Sequence, residues 1–175
     1  LRAAGATTAN HWIYTTWDTN VSTWREPERN DPPAMFVSFP SLKDPAHQPG
    51  PAQRHTAEVV AWVDWETFAP WQDSNPGHRP PEYERYKTML GERLLEYFKR
   101  CFPRLAPLVR VKEVSTPLTM VHYTRTPHGA AYSLAPTPAR FSSRSLGTRT
   151  PLKGLFLAGQ DAMSPGVTGA MMGGI

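Results

Sequence analysis

Residues 155–174 read LFLAGQDAMSPGVTGAMMGG. Leu155 to Ala158 is a short, wholly apolar run, the pattern of a strand buried on both faces. Gly159 ends the run, and at a glycine the backbone can approach a ligand closely. Asp161 follows, a carboxylate that can accept hydrogen bonds from sugar-like hydroxyls. The spacing predicts a helix starting at Ser164-Pro165-Gly166-Val167. Its first N–H groups lack partners and carry partial positive charge, which suits an anion or an electron-rich carbonyl. Gly166, Thr168, Gly169 and Ala170 are small and leave room for a flat ligand. A tight strand–helix turn with a surface aspartate fits the same residues equally well. The block is not GxGxxG, and that dinucleotide fingerprint occurs nowhere in the chain.

Upstream the composition changes near Gly147: seven of the 12 glycines lie from there to the end. The preceding region reads as an α+β body. Three strands are expected, at His11–Thr16, Ala34–Phe39 and His55–Asp64. In the third, Ala57, Val59, Ala61 and Val63 share one face and Val60 and Trp62 the other, which suggests an interior strand. Residues 82–102 form the clearest helix, with Tyr83, Tyr86, Leu90, Leu94, Tyr97, Phe98 and Cys101 at three- and four-residue spacing. Gly91 is expected to weaken its middle by up to about 1 kcal/mol. Further strands are expected at Val109–Val114 and Met120–Thr124.

The 175 residues suffice for a domain with a real core. The 19 prolines are about twice the usual ~5% share and are scattered, so loop-rich architecture is expected. The formal net charge is +4. The densest basic group, Arg140, Arg144, Arg149 and Lys153, reads as solvated surface, and no nucleic-acid partner is predicted. Cys101 is the one cysteine, so no intrachain disulfide forms, and a buried thiol is expected. No stretch approaches the ~20 apolar residues of a membrane span. His47, His55 and His78 match no metal motif, and there is no G-x-S-x-G elbow. Trp62, Trp65, Phe68 and Trp71 read first as core and second as an apolar wall for a lipid-like substrate.

Five segments, in order, carry a resemblance: MFVSFPSLKDP (35–45), HTAEVVAWVDWETFAPW (55–71), the helix opening at Glu82-Tyr83, STPLTMVHYTRTPHGAAYSL (115–134) and RTPLKGLFLAGQD (149–161). Together they resemble the phytoene desaturase, carotenoid isomerase and retinol saturase group of FAD-dependent oxidoreductases. The resemblance implies an α+β fragment of a two-domain flavoprotein. Residues 1–114 would belong to a substrate domain with a mixed sheet, 115–146 to a return segment near the flavin or substrate tunnel, and 147–175 to the strand–helix end of a Rossmann-type FAD domain.

The resemblance also implies site roles. Asp161 would bind the ribityl chain of FAD, and the Val167 and Thr168 N–H groups would face the flavin carbonyl edge. Gly159, Gly166 and Gly169 would permit close packing. Tyr132 and His128 would line the substrate tunnel, with core packing the competing reading for Tyr132. His122 and His128 are weaker acid–base candidates. Ser133 departs from the glycine that relatives commonly place there.

The implied function is redox chemistry at a carbon–carbon double bond of an apolar isoprenoid-like substrate, with FAD as cofactor and NAD(P) as a candidate electron partner. Flavin-dependent cis–trans isomerisation and a non-catalytic binding module are the alternatives. The sequence opens on Leu1 without a starting Met and stops at Gly173-Gly174-Ile175, so both ends read as cut from a longer protein, and in the family an N-terminal Rossmann portion precedes these motifs. The fragment alone is expected to be inactive. Such a protein is expected in the cytoplasm, with peripheral membrane contact through its apolar substrate.

Overall fold

Strand β1 (His11–Tyr14) and strand β2 (Ala34–Ser38) pair antiparallel, with His11 opposite Val37 and Trp12 opposite Phe36. A one-turn helix α1 (Pro40–Lys43) follows β2, and strand β3 (Glu58–Ala61) pairs antiparallel on its other side, Phe36 opposite Val60. This computed structural model describes every residue except Thr19, Ser133 and Ile175. The departure noted at Ser133 therefore lies outside the described residues.

The strand order is β1-β2-β3, so β2 is the interior strand and β3 an edge. That corrects the expectation of an interior strand over His55–Asp64, of which Glu58–Ala61 pairs as a strand and Trp62 adds an isolated bridge to Thr23. The apolar residues of β3's outer face, Val60 and beyond it Trp62, stay exposed. The expected mixed sheet is also corrected. All named strand pairs are antiparallel, and among the described residues parallel pairing is confined to the Thr23–Trp62 bridge.

Helix α2 (Pro81–Cys101) closes the inner face of the sheet. Met35, Val37 and Phe39 alternate inward from β2 and its end, and meet Tyr97, Phe98 and Leu105 in one buried cluster. Glu82 and Glu84 in its first turn and Lys99 and Arg100 in its last complement the helix dipole. Cys101 is half-buried rather than fully buried, and burial pushes its thiol pKa up.

A second aromatic group packs near the start of α2. Phe68 and Trp71 approach Tyr86, and Trp71 meets Tyr83 edge-on at 5.7 Å. Phe68 and Tyr83 are buried, whereas Trp65 and Trp71 are half-buried. Gly91 has a packing reason: a Cβ there would sit 2.5 Å from Cγ2 of Val114. The 109–114 segment touches α2 through Val114 and through the Lys112–Glu92 ion pair, and it is not the expected strand, since among the described residues no strand pairs with it.

The chain divides into two units, Leu1–Thr116 and Pro117–Ile175. The second opens with helix α3 (Pro117–Thr124), where a strand was expected at Met120–Thr124. Proline suits the first helical position, and the Thr124 hydroxyl donates back to the Met120 carbonyl at 2.7 Å, so local signals override β-branched propensity. Helix α4 (Pro138–Ser142) and helix α5 (Val167–Met172) complete the unit. No helix among the described residues is long and apolar enough to cross a membrane.

Candidate functional site

The expected buried strand Leu155–Ala158 is instead the return arm of a tight hairpin. Phe156 bridges Arg149, the Leu157 N–H donates to the Thr148 carbonyl at 2.9 Å, and the Thr150 hydroxyl donates to the Leu155 carbonyl at 2.8 Å. Leu155, Phe156 and Leu157 are 48%, 64% and 46% exposed. A strand buried on both faces needs sheet neighbours and covering layers, and Leu155–Leu157 has a single bridge.

Gly159 then turns the chain at φ 103, and the Ala162 N–H donates to the Gly159 carbonyl at 3.2 Å. Asp161 sits in this turn. Its Oδ1 accepts the Leu134 N–H at 3.2 Å and lies 3.8 Å from the Arg140 guanidinium. The side chain remains 41% exposed.

Arg140 corrects the reading of the basic group as solvated surface: its side chain is 5% exposed. Its two terminal nitrogens donate to the carbonyls of Leu134 and Gln160, each at 2.5 Å. Thr137 caps α4 by accepting the Arg140 backbone N–H at 3.3 Å. The Thr137-Pro138 pair signals a helix start there, but nothing local signals a buried arginine. Arg140 and Asp161, with Phe141, Leu146, Thr148 and Met163, line a cavity of about 400 Å³.

Gly166, at φ 92, is the N-cap of α5, and no side chain caps that end. The exposed Val167 and Thr168 are the first residues of the helix. Gly169 is buried, and a Cβ there would run into the Ser164 carbonyl. A Cβ at Gly173 would lie 2.5 Å from the Gly159 carbonyl, so the end of α5 returns to the Gly159 turn. Gly159, Asp161, Gly166 and Gly169 therefore belong to one compact turn–helix assembly, with Val167 and Thr168 at its surface.

Tyr132 is exposed two residues before Leu134, the residue held by Asp161. His128 is exposed in the Pro127–Gly129 turn after α3, at φ 55. His122 lies on α3, edge-on to Tyr123 at 4.7 Å. Among the described residues no cluster of three or more His, Cys, Asp or Glu could hold a metal ion.

No family model and no solved structure matches the chain. Curated proteins do match. The all-trans-retinol 13,14-reductase of Danio rerio is 31% identical over 157 residues, 86% of this chain and 25% of that protein. The human protein of the same name is 30% identical over 175 residues, 95% of this chain and 29% of its own length. A second Danio rerio protein, named inactive all-trans-retinol 13,14-reductase, is 32% identical over 155 residues, 81% of this chain and 24% of its own. The chain thus spans under a third of the length of these relatives. It belongs to the retinol saturase-like family of the all-trans-retinol 13,14-reductases.

Proposed function

We propose that the protein carrying this chain is an FAD-dependent oxidoreductase acting on a carbon–carbon double bond of an apolar isoprenoid-like substrate of the retinoid or carotenoid class. The observation that carries the reading is similarity along 95% of the chain to proteins named all-trans-retinol 13,14-reductase. In this reading the chain is part of a two-domain flavoprotein, and residues 147–175 contribute one wall of the flavin site.

The residues present fit such a group. Cβ atoms at Gly159 and Gly166 would meet nothing within 4 Å, so a planar ligand has open backbone to approach. The start of α5 has no side-chain cap, leaving the early N–H groups available to an outside acceptor. Asp161 offers a partly exposed carboxylate suited to polyol hydroxyls.

FAD, when bound, supplies the hydride chemistry. The Val167 and Thr168 N–H groups would donate to its electron-rich carbonyl edge, where fixed dipoles stabilise negative charge without reorganising. Asp161 would hold the ribityl hydroxyls and so fix the ring's position. Tyr132 and His128 would line the approach for the apolar substrate, with NAD(P) as a candidate electron partner.

A second reading has its own support. The relative named inactive all-trans-retinol 13,14-reductase is as similar as the others, so a binding protein without turnover also fits the family.

Product analysis separates the readings. The longest reading frame carrying this chain is incubated with FAD, a reductant and all-trans-retinol. A product two hydrogen atoms heavier is expected. Unchanged mass with altered retention means isomerisation, and no product with flavin bound means the non-catalytic reading.

A further inference from the structure

We propose that Arg140 is a positioning residue for the polyol chain that Asp161 would bind, an inference that rests on the flavin reading above. The pair grips both backbone polar groups of one residue, Leu134. Asp161 takes the Leu134 N–H, at 3.2 Å, and Arg140 takes the Leu134 carbonyl, at 2.5 Å. Arg140 also holds the carbonyl of Gln160, the residue just before Asp161, at 2.5 Å. One buried guanidinium thus fixes the backbone on either side of the carboxylate, while standing 3.8 Å from Oδ1 itself.

The chemistry follows from the donor inventory. A guanidinium carries donors in a fixed planar fork, so it holds two carbonyls at a set separation. A buried arginine needs its charge matched, and Asp161 is the carboxylate at hand. Oδ1 is committed to the Leu134 N–H and the Arg140 charge, and the partly exposed carboxylate still has acceptor capacity for ligand hydroxyls. Arg140 would set where that capacity points without touching the ligand.

The test uses the longest reading frame carrying this chain, titrated with FAD, in the wild type, R140M, R140K, D161N and R140M/D161N. Amide hydrogen exchange at Leu134 is read in the same ligand-free proteins. R140M and D161N are each expected to weaken FAD binding about tenfold, the effect of losing one charge-assisted interaction. The double variant is expected to bind no worse than D161N alone, because Arg140 acts through Asp161. R140K keeps the charge and should recover part of the loss, which also covers the case in which R140M folds poorly. Leu134 exchange should quicken in R140M and D161N.

Multiplying losses in the double variant would overturn the proposal, as would quickened exchange with unchanged FAD affinity in R140M. A wild type that binds no FAD would defeat the flavin reading, and this inference with it. Binding with multiplying losses would defeat only the role of Arg140.

Discussion

The two units of the chain treat similar apolar sequence in opposite ways. In Leu1–Thr116, Met35, Val37 and Phe39 are fully buried, and sheet and helix face each other across them. In Pro117–Ile175, Leu152, Leu155, Phe156, Val167 and Met171 are exposed, and the backbone is held by hairpin bonds, a short helix and one buried arginine. The first unit is shaped by its own burial. The second buries Leu118 yet leaves much of its large apolar surface exposed.

The largest expected contrast comes from truncating one aromatic in each unit. Phe39→Ala should lower stability to urea by about 3–5 kcal/mol, because a packed site loses its contacts and keeps a cavity. Phe156→Ala should stay within about 0.5 kcal/mol of wild type. Equal losses would break the comparison.

Adding one methyl probes packing where each unit is tight. Gly169→Ala drives a Cβ into the Ser164 carbonyl and should cost about 1–3 kcal/mol, read as lost amide protection in α5. Gly91→Ala meets Cγ2 of Val114 but gains up to about 1 kcal/mol of helix propensity, so a smaller loss in thermal midpoint is expected. Protection in α5 unchanged by Gly169→Ala would mean that the assembly is looser than described.

Tyr83→Phe removes the 2.8 Å hydrogen bond between the buried Tyr83 and Thr116 hydroxyls and should cost about 0.5–1.5 kcal/mol in urea unfolding. The gentlest test is alkaline titration. Burial, followed by nearby negative charge, pushes Tyr86 and Tyr97 up to about 12. An unfolded tyrosine ionises near pH ~10, so between these values the folded state holds more protons than the unfolded. The stability contributed is complete below the unfolded value and is lost as pH rises toward the folded one. Ultraviolet absorption should show both phenols ionising late, and Tyr97→Phe should remove one of these late steps.

How much of this was legible in the sequence also divides between the units. The apolar, β-prone run before Pro40 located β2, and three- and four-residue spacing located α2 to within a residue at each end. β3 is shorter than its propensity suggests, and 109–114 and Leu155–Ala158 are not sheet strands, for a shared reason. Strand propensity describes a surface waiting for neighbours, and it cannot say whether neighbours are present. In the tail, the turn at Gly159 and the helix beginning at Val167 were visible from glycine placement and small residues. Arg140 was not, because its burial depends on the carbonyls of Leu134 and Gln160, which local pattern does not bring together.

We propose that the exposed surface of the tail belongs to a flavin site. The visible absorption spectrum of the purified longest reading frame carrying this chain, before and after adding FAD and removing the excess, reads this out. The two bands of protein-bound oxidised flavin are expected. Their absence, even after FAD has been added, would contradict the proposal.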